Sequence, residues 1–76
     1  MGTSIPRAFG RALREYRLKA TLSQEALALE AGIDRTYVSL LERGKRQPTL
    51  ETVFRVATVL GISPATLVAK TSAGME

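Results

Sequence analysis

The segment from Asp34 to Arg46 concentrates side chains that can form hydrogen bonds at helical spacing. If the segment is helical, Val38 and Leu41 lie on one side, and a mostly polar set lies on the other, namely Arg35, Thr36, Ser39, Leu40 and Arg43. Arginine can hold O6 and N7 of guanine, serine and threonine can pair with several bases, and a methyl group can contact thymine. The pattern fits a helix that reads base edges, and taken alone it fits equally well the solvated face of a surface helix.

Composition excludes most catalytic chemistry. The 76-residue chain contains no cysteine and no histidine, which removes disulfides, zinc fingers, serine–histidine hydrolases and cysteine proteases. The sequence also has no glycine-rich phosphate loop and no metal-ligand cluster. We therefore expect no enzyme activity, no cofactor, no metal and no small-molecule substrate. Eleven Lys and Arg against seven Asp and Glu give a net charge of +4, which suits a polyanionic partner.

Start and stop signals predict five short helices and no strand. Pro6 suits the first turn of the first helix, and four residues have the N-cap chemistry that opens the others: Ser23, Asp34, Thr49 and Ser63. These helices are expected over about 24–31, 35–43, 50–60 and 64–70. A domain over residues 6–70 would then lie between flexible ends at 1–5 and 71–76. With neither a membrane span nor a hydrophobic signal segment, we expect a cytoplasmic protein without a membrane partner.

Helical periodicity predicts which side chains form the core. The expected inner faces are Phe9, Ala12, Leu13, Tyr16 and Ala20 in the first helix, Leu27, Ala28 and Ala31 in the second, and Leu50, Val53, Phe54, Ala57 and Leu60 in the fourth. The fifth helix carries the apolar residues Leu67 and Val68. The second and third helices are joined by the short turn Gly32-Ile33-Asp34. Two short helices around a glycine-containing turn are typical of a helix-turn-helix unit.

Residues 22–63 (LSQEALALEAGIDRTYVSLLERGKRQPTLETVFRVATVLGIS) resemble the Cro/phage-repressor type of helix-turn-helix domain, also called the XRE family. The motifs are S-Q-E at the start of the second helix, A-G in the turn and L-E-R-G-K-R-x-P after the third helix, and FGRALREYR fits the first helix. Within the family, D-R-T-Y-V-S is most similar to controller proteins of restriction–modification systems.

The resemblance implies an all-α, compact five-helix, lambda-repressor-like domain that binds double-stranded DNA and represses or activates transcription, associated with the nucleoid when bound. The alternative is a protein-interaction module of the same fold, an antitoxin or a coactivator-like protein. The third helix would be the recognition helix, with Arg35, Thr36, Ser39 and Leu40 at base edges. Phosphate contacts would come from Gln24, Tyr37, Arg43, Lys45 and Arg46.

Each phosphate contact has a plainer alternative. Gln24 can be an ordinary residue at a helix start, Tyr37 can pack against the second helix, and Arg43, Lys45 and Arg46 can simply be solvated. By the same resemblance, Arg17 and Glu42 match a partly buried structural ion pair. The basic stripe formed by Arg7, Arg11 and Arg14 either assists the approach of DNA at long range or is a solvated face.

One short recognition helix reads only a few base pairs, so family members usually bind as dimers to half-sites about one helical turn apart. We therefore expect a homodimer on a palindromic operator. Val59 is predicted to point away from the core, and it forms the candidate dimer interface with Ile62, Leu67 and Val68. Ile62, Leu67 and Val68 can instead complete the monomer core. Thr21 departs from the family, which commonly has glycine at this position, so we expect the corner between the first two helices to differ.

Overall fold

The computed structural model describes residues 3–76. Within this range the chain forms five α-helices and no strand: α1 (Ile5–Lys19), α2 (Gln24–Ala31), α3 (Arg35–Glu42), α4 (Leu50–Leu60) and α5 (Pro64–Ala73). The predicted all-α fold is confirmed. Met1 and Gly2, part of the expected flexible N-terminal segment 1–5, lie outside the described residues.

Helix α5 runs farther than the sequence predicts. Its last turn includes Thr71, which is buried and whose Oγ1 donates to the carbonyl of Leu67 at 2.9 Å. Residues 71–73, which were expected in the tail, are therefore helical. The hydroxyl–carbonyl hydrogen bond satisfies the buried polar group, which is why a threonine is tolerated on the inner side of the helix.

The predicted caps of α2 to α5 are formed. Each cap side chain accepts a hydrogen bond from a backbone N–H in the first turn of its helix: Ser23 from Ala26, Asp34 from Thr36, Thr49 from Thr52 and Ser63 from Thr66. Gly32 ends α2 in the left-handed conformation with φ of 71°, and the chain turns directly into the cap of α3. These local interactions fix the helix-turn-helix unit.

The core lies where the five helices meet. Its largest fully buried side chains are Leu13, Leu27, Val38, Leu41, Val56 and Leu67. The residues predicted for α1 and α2 are buried as expected, except that Tyr16 and Ala20 are only half-buried.

An ion pair between Lys70 and Glu15 (Nζ to Oε2, 2.7 Å) joins α5 to α1 at the surface. Its hydrogen bond lowers the pKa of Glu15 and raises the pKa of Lys70.

Helix α4 is rotated about its axis relative to the prediction, which was wrong for two residues. Leu50 and Phe54 were expected inside but are 71% and 52% exposed, whereas Thr52 and Val56 are buried. Thr52 can be buried because its hydroxyl pairs with that of Thr49 at 2.9 Å. Val68, which the sequence assigns either to the dimer interface or to the monomer core, is 51% exposed. The rotation leaves large apolar side chains on the surface.

Helix α1 crosses α3 so closely that the two backbones touch at Gly10. A Cβ atom at Gly10 would meet the carbonyl oxygen of Leu41 and would lie 2.7 Å from that of Glu42. Only glycine fits this crossing, which sets the position of α3 relative to α1.

The corner between α1 and α2 keeps the left-handed turn in spite of its threonine. Thr21 has φ of 59°, and the next amide, that of Leu22, donates to the carbonyl of Arg17 at 3.1 Å. The expected departure at this corner is therefore wrong for the backbone. A β-branched residue in this conformation stores local strain, of order 1–3 kcal/mol.

No single helix in the described range is long and apolar enough to cross a membrane. Taken together, α4 and α5 have the length and composition of a membrane span, but the pair is bent by 105°.

Candidate nucleic-acid interface

Helix α3 presents the predicted base-reading residues on its outer side. Arg35 and Thr36 are exposed, Ser39 and Leu40 are half-buried, and Val38 and Leu41 face the core on the opposite side. The cap by Asp34 starts α3 so that Arg35 and Thr36 occupy its first turn. This is the end of a recognition helix that contacts bases in helix-turn-helix proteins.

A shallow polar cleft joins the start of α2 to the outer side of α3. It has a volume of about 200 Å³ and is lined by Gln24, Arg35, Thr36 and Ser39. The structure thus brings one of the predicted phosphate-contacting residues together with three of the predicted base readers. Leu40 lies on the same helix outside the cleft lining.

A hydrogen-bonded network fixes the relative positions of α1, α2 and α3. Arg17 donates from Nε to Glu42 Oε2 at 2.6 Å and from Nη2 to Oε1 at 2.9 Å, while Nη1 donates to the carbonyl of Leu22 at 2.8 Å. The two side chains are 9% and 3% exposed. The Arg17–Glu42 pair is therefore present as predicted. Its hydrogen bonds raise the pKa of Arg17 against the opposing effect of burial, so the guanidinium stays charged.

Gln24 belongs to this network as well as to the cleft. Its Nε2 donates to Glu42 Oε1 at 3.0 Å, which the sequence did not indicate. Glu42 therefore holds the first residue of α2 beside the last residue of α3. A buried carboxylate with three side-chain donors is a rigid anchor because each donor restrains its orientation.

The loop after α3 carries basic side chains. Gly44 adopts φ of 71°, and the amide of Lys45 donates back to the carbonyl of Leu40 at 2.9 Å, so the loop is closed against the helix. Lys45 and Arg46 are exposed. Arg43 is exposed too, and its Nε donates to the carbonyl of Ser39 at 3.3 Å. Among the described residues these three cations form no ion pair, since the three salt bridges present lie elsewhere.

The remaining predicted site residues differ in how far they are buried. Tyr37 is half-buried and packs against the core. Of the predicted dimer residues, Leu67 is fully buried in the monomer core, where a second protein cannot reach it. Val59 and Ile62 are half-buried against the core, and Val68 is exposed. Leu50 and Phe54 are surface residues that the sequence analysis did not predict, because α4 is rotated about its axis relative to the predicted orientation.

A family model described as helix-turn-helix matches residues 13–67. Control protein C.BamHI of Bacillus amyloliquefaciens is 39% identical over 75 residues, 97% of this chain and 93% of the relative. The crystal structure of the restriction-modification controller protein C.AhdI from Aeromonas hydrophila is 45% identical with a TM-score of 0.79, over 82% of this chain and 94% of that chain. The clp gene regulator ClgR from C. glutamicum is 28% identical with a TM-score of 0.92, over 100% and 97% of the two chains.

Proposed function

This chain belongs to the XRE-type helix-turn-helix family of DNA-binding transcriptional regulators, and we propose that it reads an operator as a homodimer with α3 in the major groove. The observation that carries the proposal is the polar outer side of α3, where Arg35, Thr36 and Ser39 share one cleft. The family consists of regulators rather than enzymes, in agreement with the composition.

The dimensions of α3 suit this role. With its side chains an α-helix is about 10–12 Å across, which fits the major groove of about 12 Å width. The outer side of α3 carries hydrogen-bonding groups beside one apolar residue, Leu40. Bidentate arginine and hydroxyl contacts distinguish base pairs in that groove, so we assign base reading to Arg35, Thr36, Ser39 and Leu40.

Phosphate contacts flank the reading surface on two sides. Gln24 lies at the start of α2, Tyr37 lies on α3, and Arg43 caps the end of α3. Lys45 and Arg46 lie in the loop that follows. Contacts of this kind fix the register of the protein on the duplex without reading sequence. The hydrogen bond from Gln24 to Glu42 supports the assignment, because it holds the amide beside the cleft.

Replacing Arg35 by alanine is expected to weaken binding to the cognate duplex by about 1–3 kcal/mol and to relax specificity at one base pair. The reason is the loss of a bidentate base contact from the first turn of α3. Fluorescence anisotropy titrations against cognate and random duplexes measure the effect. Lys45→Ala is the matched control, since it also removes one exposed cation but should weaken both duplexes about equally. Equal losses on the two duplexes for Arg35→Ala would refute its reading role.

We propose that the homodimer forms through apolar side chains of α4 and α5 and of the turn between them. Among the predicted candidates Val68 is exposed and Val59 and Ile62 are half-buried, and the structure adds the exposed Phe54 and Leu50. Exposed apolar side chains of this size on a small domain favour a protein interface over solvent. A dimer of this kind would bind a palindromic operator, because the symmetry of the site mirrors that of the protein.

Replacing Phe54 by glutamate is expected to convert the dimer to a monomer, because the charge cannot be desolvated at an apolar interface. Sedimentation equilibrium over a range of protein concentrations measures the change. Leu29→Glu is the control, since Leu29 is an exposed leucine on α2, and this variant should keep the dimerisation constant of the wild type. A Phe54→Glu protein that dimerises as the wild type does would exclude this surface.

The restriction–modification controller named among the similar structures supports a more specific proposal. We propose that this protein regulates the transcription of a restriction–modification system by occupying an operator in a promoter. It would do so in the bacterial cytoplasm, on nucleoid DNA. The likeness to such controllers of the segment D-R-T-Y-V-S, which comprises the N-cap and the first five residues of α3, points the same way.

A further inference from the structure

Arg7 lies beside the basic loop that follows α3. A Cβ atom built on Gly44 would lie 2.8 Å from Cγ and 3.0 Å from Cα of Arg7. The first turn of α1 is thus packed directly on the residue that precedes Lys45. The stem of Arg7 is held against Gly44, while the residue as a whole remains exposed. The fold therefore joins a residue near the N-terminus to the loop.

The resulting patch carries uncompensated positive charge. It consists of Arg7, Lys45 and Arg46, with Arg43 at the end of α3. The salt bridges present within residues 3–76 engage Arg17, Arg55 and Lys70, and none engages a member of this patch. Cations held together without carboxylate partners repel one another, and a polyanion relieves that repulsion.

The basic stripe of α1 therefore divides into two parts. Arg11 and Arg14 lie farther along α1, about 6 Å and 10 Å from Arg7 at 1.5 Å per residue. They line a separate cleft with Glu15 and Leu18. The three atoms nearest to a Cβ built on Gly44, by contrast, all belong to Arg7.

We propose that Arg7 binds a backbone phosphate of the operator next to the phosphate held by Lys45 and Arg46, whereas Arg14 makes no DNA contact. This inference rests on the proposed function and deepens it, because it adds a contact from α1 to those of α2 and α3. Arg7 contributes affinity without sequence preference. Its contact with Gly44 also couples the first turn of α1 to the basic loop that follows the recognition helix.

The test is the salt dependence of binding for the wild type, Arg7→Gln and Arg14→Gln. Each phosphate contact contributes about 0.9 to the slope of log K against log salt concentration. Arg7→Gln should lower the slope by about 1.8 for a dimer, so its affinity deficit should shrink about 12-fold between 50 and 200 mM salt. The loss should be the same on cognate and random duplexes. Arg14→Gln removes an equal charge from the same helix and should keep the wild-type slope.

One further variant and one stability measurement keep the result decisive. Arg7→Lys retains the charge and should restore the slope. Glutamine retains the Cβ and Cγ atoms that contact Gly44, so the urea midpoint of Arg7→Gln should equal that of the wild type. An unchanged slope for Arg7→Gln, or an equal decrease for Arg14→Gln, would overturn the contact. A wild-type protein with no salt-dependent DNA binding would overturn the proposed function itself, which is a separate result.

Discussion

Replacing Glu42 by alanine is expected to lower the free energy of unfolding by about 3–5 kcal/mol. The substitution leaves the guanidinium of Arg17 buried without its carboxylate and removes the acceptor of Gln24. At about 0.05–0.15 kcal/mol per residue, a chain of 76 residues has roughly 4–11 kcal/mol in total. The variant should therefore lose a large part of its stability, as measured by urea unfolding followed by circular dichroism.

Two control proteins separate the buried charge from simple truncation. Glu51→Ala removes the partner of Arg55 in an exposed ion pair with Nη2 to Oε2 at 2.8 Å, and it should cost less than about 0.5 kcal/mol. The double variant Arg17→Met/Glu42→Leu replaces both charges by apolar groups and should recover most of the loss. Exposed ion pairs contribute at most about 1 kcal/mol. If the free energy of unfolding of Glu42→Ala lay within about that amount of the wild-type value, the assigned role of the pair would be contradicted.

Replacing Gly10 by alanine is expected to destabilise the protein by about 3 kcal/mol or more. In an open helix the same change stabilises by about 0.5–1 kcal/mol, so the sign is decided by the crossing with α3. The new Cβ would meet the backbone carbonyls of Leu41 and Glu42, which cannot move aside as a flexible side chain can. The two helices would have to separate, and the thermal midpoint should fall accordingly.

Gly74→Ala is the matched control for this substitution. Its Cβ would find its nearest atoms at 3.5 Å, an ordinary contact distance, and its backbone is already right-handed. We expect a change within about 0.5 kcal/mol, typical of a surface site. If Gly10→Ala were as stable as Gly74→Ala, the close crossing of α1 and α3 would be disproved.

Local signals in the sequence were sufficient for the architecture. Ser23, Asp34, Thr49 and Ser63 cap their helices because a side-chain oxygen reaches amides two or three residues ahead, an interaction that the sequence alone specifies. The outer side of α3 was equally predictable, since Val38 and Leu41 define its inner side. The Arg17–Glu42 pair followed from the family resemblance.

Features that depend on tertiary packing were not predictable in this way. Helix α4 has apolar residues on most of its sides, so periodicity could not decide whether Phe54 or Val56 is buried. Gly10 gave one signal only, a glycine inside a helix, which costs stability unless a close approach requires it. The contact of Arg7 with Gly44 joins residues far apart in the chain. The hydrogen bond from Gln24 to Glu42 likewise depends on how α2 and α3 are placed.

Selection of bound sequences from a random duplex pool, near physiological salt, tests the central claim most directly. The account predicts a two-fold symmetric motif with half-sites about one helical turn apart. The same selection with Arg35→Ala should lose the preference at one position of each half-site. An absence of any enriched motif, with only weak and salt-sensitive binding, would contradict the account and would favour the protein-interaction module instead.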